Sequence, residues 1–73
     1  SVLIYPNPLS EVLSIKSDTK IESVEIFDMT GKSVLKINSN FDIIPVNALK
    51  QGIYLVNITT AEGQITKKVS VVR

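Results

Sequence analysis

Cysteine, histidine and tryptophan are absent from the 73 residues. Without cysteine no disulfide can staple the chain, and without cysteine and histidine the usual ligands of a structural zinc site are missing. The commonest general base and the thiol nucleophile are missing for the same reason. Charge of either sign is not in excess: the formal net charge is +1, which argues against nucleic acid or an anionic membrane surface as a partner. No apolar run approaches the roughly 20 residues of a membrane span. Alanine occurs only twice, whereas valine, isoleucine and threonine supply 24 residues. β-Branched side chains with almost no alanine favour strands over helices. A chain this short buries only about 60% of its unfolded surface, so it must rest on one apolar core. Neither a signal-peptide pattern nor an initial methionine is present. The expectation is a single domain, residues 1–73, belonging to a longer protein.

Seven stretches alternate, at least in part, with a period of two and end at turn residues. They are Val2–Tyr5, Val12–Lys16, Ile21–Phe27, Ser33–Ile37, Phe41–Val46, Ile53–Thr59 and Gln64–Val72. One short helical turn is compatible with Val46–Gln51. Asp28-Met29-Thr30-Gly31 and Thr60-Ala61-Glu62-Gly63 each suit a type I turn closed by a glycine bulge, since glycine supplies a positive φ. Seven short strands at this spacing predict an all-β fold, a seven-stranded antiparallel immunoglobulin-like β-sandwich. Tyr54 follows Gly52 at the start of a strand, the position of a tyrosine corner in such sandwiches, where the hydroxyl bonds back to the preceding connection. Ordinary core packing explains Tyr54 equally well.

Pro6-Asn7-Pro8 interrupts the chain directly after its first apolar run. Proline cannot donate to a ladder, and it pushes the residue before it toward an extended conformation. Strand pairing should therefore stop near Pro6, with Tyr5 and Asn7 extended, and the clamp should guard an edge.

Catalytic chemistry finds little support. Glu22 and Glu25 have opposite strand parity, so they do not form the converging carboxylate pair of a glycosidase. Asp18 and Asp28 lack the dense oxygen-ligand pattern of a calcium loop, and no glycine-rich phosphate loop occurs. No catalytic, cofactor-binding or metal-binding residue is assigned. Asn57-Ile58-Thr59 fits a glycosylation sequon but lies within a strand. Four aromatics without tryptophan make a poor sugar platform, and Tyr54 and Phe27 are expected in the core.

The last strand carries Lys67-Lys68-Val69. Lys67 shares parity with Ile65, Val69 and Val71, which should face the core, and a charge in a core column is costly unless it escapes. It can snorkel past the rim, or a bulge near Lys67-Lys68 can reset the register. Adjacent lysines either blunt an exposed edge or mark a strand that another protein reads. Edge protection is the plainer of the two.

Taken in order, Tyr5-Pro6-Asn7-Pro8, Leu13-Ser14-Ile15, Phe27-Asp28-Met29-Thr30-Gly31-Lys32, Leu49-Lys50-Gln51-Gly52-Ile53-Tyr54 and Lys67-Lys68-Val69 resemble the C-terminal sorting domain of the type IX secretion system, the Por secretion tail. The resemblance runs over essentially the whole chain. It implies an immunoglobulin-like sandwich at the C-terminus of a larger secreted protein of a Gram-negative bacterium. It further implies a cargo domain linked upstream, which crosses the inner membrane by the general secretory route and the periplasm in transit. The tail then addresses that cargo to an outer-membrane translocon. A shuttle protein receives it, and a sortase-like cysteine peptidase removes the tail near or before its start. The cargo ends at the cell surface or secreted. The family's signature positions correspond to Pro6, Asn7, Pro8, Gly52, Tyr54, Lys67, Lys68 and Val69. The first two groups should act through the fold, and the last should be read by the machinery. An immunoglobulin-like spacer or adhesion module of a surface protein, or a sugar-binding module with an exposed aromatic groove, are the alternative readings.

Overall fold

Alternation of apolar and polar residues places one face of nearly every strand in a common core. The computed structural model describes residues 1–8 and 11–73. Its strands are β1 (Val2–Tyr5), β2 (Val12–Ser17), β3 (Ile21–Asp28), β4 (Ser33–Ile37), β5 (Ile44–Pro45), β6 (Gly52–Thr60) and β7 (Gly63–Val71). They form two sheets, a three-stranded one in the order β1-β2-β5 and a four-stranded one in the order β4-β3-β6-β7. Every pairing is antiparallel. The architecture is an all-β sandwich, as the alternation predicts. Relative to a constant-type immunoglobulin domain, the fourth strand lies beside the third instead of in the opposite sheet.

The core is built from Leu13 and Ile15 of β2, Val24 and Ile26 of β3, Ile44 of β5, Val56 and Ile58 of β6, and Val69 and Val71 of β7. Tyr54, Val46 and Leu49 complete it. On β6 the alternation is nearly perfect: Tyr54, Val56, Ile58 and Thr60 are buried, while Ile53 is 47% exposed. Thr60 is the buried polar residue, and its hydroxyl is occupied in the hairpin, donating to the Gly63 carbonyl at 3.2 Å and accepting the Glu62 amide at 3.1 Å.

The β3–β4 hairpin follows its residues closely. Gly31 N–H donates to the Asp28 carbonyl at 3.0 Å, and Gly31 has a φ of +90°, which its missing Cβ permits. A register shift between Ile26 and Phe27 marks the bulge. The Asp28 carboxylate accepts the Thr30 hydroxyl at 2.6 Å and the Thr30 and Lys32 amides at 2.9 and 3.1 Å. The Thr30 hydroxyl above all, with the Lys32 amide, holds the Asp28 carboxyl below its ordinary value of 3.8. The β6–β7 hairpin differs, for Thr60 pairs directly with Gly63 across a two-residue loop, and no register shift occurs along the ladder.

Further expectations need correction. The fifth strand is limited to Ile44–Pro45 instead of Phe41–Val46. Asn40 turns the chain with a φ of +56°, Ile43 N–H closes that turn on the Asn40 carbonyl at 3.2 Å, and Pro45 has no donor to extend the ladder. Val46–Gln51 is not helical; one turn closes with Leu49 N–H on the Val46 carbonyl at 3.0 Å. Phe27 is outside the core. It is half-buried on the outer face of the four-stranded sheet, in one row with Leu55 and Lys68. No bulge resets the register at Lys67-Lys68; the last strand keeps its parity and escapes burial by another route, described below.

Two predictions follow from this packing. Ile58→Ala empties a fully buried position and should cost about 2–5 kcal/mol, whereas Ile53→Ala, earlier on the same strand and on the open face, should cost less than about 1 kcal/mol; urea unfolding of the two variants measures the contrast. Because Asp28 titrates below its unfolded value, its contribution to stability is full above pH 3.8 and is lost as pH falls through the depressed folded value. Asp28→Asn should therefore flatten the acid limb of the stability profile relative to wild type, read as melting temperature against pH.

Candidate functional site

Three separated groups of residues were marked by sequence; the fold brings the first two to the C-terminal end of β7 and spreads the third from that end toward the middle of the strand. Pairing stops at Tyr5, as the prolines dictate, and the peptide bonds before Pro6 and Pro8 are both cis. Asn7 lies in a bend instead of continuing extended. Its side-chain oxygen accepts the backbone N–H of Ser70 at 3.2 Å, across 63 positions of sequence. The passage from Pro8 into β2, which the clamp was expected to shape, includes residues outside those described.

The second group lies on the neighbouring strand. Tyr54 pairs with Val69, and Gly52 with Val71. Tyr54 is buried, and its hydroxyl donates to the Lys50 carbonyl at 2.7 Å. This is the tyrosine corner that its position implied. Gly52 has a φ of +159°, which side-chain-bearing residues rarely adopt, although a Cβ placed there would lie 3.9 Å from the Tyr54 ring, an ordinary contact.

The third group divides. Val69 is 2% exposed and belongs to the core beside Tyr54. It cannot be a contact surface for another protein in this fold. Lys67 and Lys68 are both exposed. Every residue from Gly63 to Lys68 is exposed, and burial begins only at Val69. Lys67 keeps the parity of the core column, opposite the fully buried Val56, yet Ile65 in the same column is already 37% exposed. No cover reaches the inner face of β7 there, so the charge stays in water without a bulge.

One residue had no signal in the sequence. Arg73 closes the chain on the connection between β5 and β6. Its Nη2 donates to the Val46 and Leu49 carbonyls at 2.6 and 2.7 Å, and its Nε to the Leu49 carbonyl at 3.2 Å. Its backbone N–H donates to the Gln51 side chain at 3.1 Å. A tight turn leaves carbonyls without ladder partners, and a planar guanidinium with several donors satisfies two of them at once. Only contact across 24 positions of sequence reveals it.

The site is therefore a strand fastened at one end and bare at the other. Tyr54, Asn7 and Arg73 fasten the C-terminal half of β7, and Lys67 and Lys68 lie on the bare half. β7 carries no acidic residue. Among the described residues no carboxylate lies within ion-pair distance of Lys67 or Lys68. Among the same residues no group of three or more metal-ligating side chains comes together. The aromatics sit on separate elements: Tyr5 on β1, Phe27 on β3, Phe41 packed on the core and Tyr54 within it.

The fastening residues make a thermodynamic prediction. Arg73→Ala removes charge-assisted bonds and should cost about 1–3 kcal/mol, more than the roughly 1 kcal/mol expected of Tyr54→Phe. For a domain of this size each kcal/mol lowers the melting temperature by about 4–8 °C, so thermal unfolding ranks the two.

Comparison with known proteins agrees with this geometry. Over 65 residues the chain is 32% identical to beta-agarase D of Zobellia galactanivorans, a match that covers 89% of this chain and 13% of that protein. The chain thus spans about an eighth of the length of that relative. The family model of the secretion system C-terminal sorting domain matches residues 3–72, and the chain belongs to that family, the sorting signals of type IX secretion that send a linked cargo to the cell surface or the medium.

Proposed function

We propose that this chain is the C-terminal module of a larger exported protein and acts as a folded address label with no catalytic step of its own. The cargo linked ahead of it reaches the periplasm first. There the module is presented to the outer-membrane translocon and its shuttle protein. A sortase-like cysteine peptidase then removes it near or before its start. The relative supports the attachment to a large cargo, since the matching region is a small part of a protein named as an enzyme.

The observation that carries the reading is the division of β7. Of the family's signature positions, Asn7, Tyr54 and Val69 face the fold or bind it. Pro6 and Pro8 flank Asn7 and end the pairing of β1, and Gly52 opens β6. These positions maintain the shape. Lys67 and Lys68 contribute nothing to the core and no ion pair within the described chain. They are the surface that a receptor reads.

Export of a reporter protein tests this. The domain is fused to a foreign cargo in a bacterium that has a type IX system, and the distribution between periplasm and medium is measured. Wild type should export. The double variant Lys67→Ala, Lys68→Ala should change melting by no more than a few degrees, consistent with exposed positions, yet retain the reporter in the periplasm. Normal export by that variant removes the lysines from the recognition surface. Failure of the wild-type domain to export any cargo removes the sorting role itself.

A further inference from the structure

We infer that the bare half of β7, Gln64–Lys68, is an edge that accepts one extended strand from a partner protein, and that this strand carries two adjacent carboxylates. The inference rests on the sorting role and names the chemistry of its receptor contact.

Ladder geometry shows which backbone groups are open. β7 is the outermost strand of its sheet, with β6 on one side only. In an antiparallel ladder, alternate residues point both N–H and C=O away from the neighbour. Asn7 identifies the outward set, because the Ser70 N–H that it accepts faces away from β6. Gln64, Thr66 and Lys68 share that parity, and their outward amides have no partner among the described residues. Among the described residues the edge is thus capped at Ser70 and open from Gln64 to Lys68. Asn7 stands where an added strand must stop, which confines the landing site to five residues.

Charge selects the occupant. Successive side chains of a strand point to opposite faces, so Lys67 projects on one face of the sheet and Lys68 on the other. An added strand lies about 4.8 Å away with the same alternation. Two consecutive acidic residues on it place one carboxylate beside each lysine. A second copy of this chain is a poor occupant, since it brings its own Lys67 and Lys68 to a ladder only a few residues long. The lysines therefore serve both roles weighed for them: they repel self-pairing at an edge and select an acidic strand.

The edge can be closed without changing its charges. Thr66→Pro removes an outward N–H that the β6 ladder does not use, and proline is tolerated at edges in that orientation. Thr66→Ala removes the side chain and keeps the amide. In the export assay, Thr66→Pro should reduce exported reporter at least about tenfold while Thr66→Ala exports like wild type, both with cooperative thermal unfolding. Equal export by both variants overturns the strand-addition inference. If Lys67→Ala, Lys68→Ala still blocks export in that case, the sorting role and the lysine contact stand without it. A second measurement needs no variant. The probe is a synthetic ten-residue peptide of alternating valine and threonine with two central glutamates, added to the wild-type domain at about millimolar concentration, where weak strand pairing is visible. Amide exchange should slow at Gln64, Thr66 and Lys68, and a peptide with two central lysines should leave it unchanged. No slowing at those amides, or equal slowing by both peptides, overturns the inference.

Discussion

A single edge strand, tied down by side-chain-to-backbone hydrogen bonds at one end, organises this domain. Small sandwiches without disulfides have little surplus stability, and their final strand has only one ladder to hold it. Here the ladder with β6 is supplemented by two long-range contacts and one local one. Asn7 takes the Ser70 amide, Arg73 binds the turn before β6, and Tyr54 locks that turn from below. They add to the core packing of Val69 and Val71, so that the C-terminal half of β7 is anchored and its N-terminal half is exposed.

That arrangement gives a sorting signal a physical means of carrying information. A linear tag offers side chains alone, at the cost of ordering them when it binds. A folded edge offers fixed backbone donors and acceptors together with two lysines at a set spacing, on opposite faces. The ordering entropy has already been met by folding, so a receptor gains more from each contact. On the proposed reading, Asn7 and Tyr54 matter although they face the domain itself, because their hydrogen bonds determine where the exposed segment of β7 ends.

Much of the fold is legible from local pattern. Period-two alternation places β1 and β4 to the residue, the Asp-Met-Thr-Gly hairpin forms as its turn chemistry requires, and the tyrosine corner closes on Lys50. Pro45 was a signal within the fifth run, and its missing donor shortens that strand. Phe27 shares parity with Glu25, so local alternation already turned it away from Val24 and Ile26. Other features have no local signature. The exposure of Lys67 depends on how far the opposite sheet extends, which no property of β7 encodes. The contacts of Asn7 with Ser70 and of Arg73 with Val46 join positions far apart in sequence, and nothing about an asparagine or a final arginine announces them.

Residue-resolved amide exchange on the free, wild-type domain tests this organisation most directly. Among the described residues the outward amides of β7 differ in one partner, the Asn7 side chain at Ser70. Ser70 should exchange slowly, together with the core amides, while Gln64, Thr66 and Lys68 exchange at rates close to those of open strands. Uniform protection along the whole outward set, or exchange at Ser70 as fast as at Thr66, would contradict a strand capped at one end and open at the other.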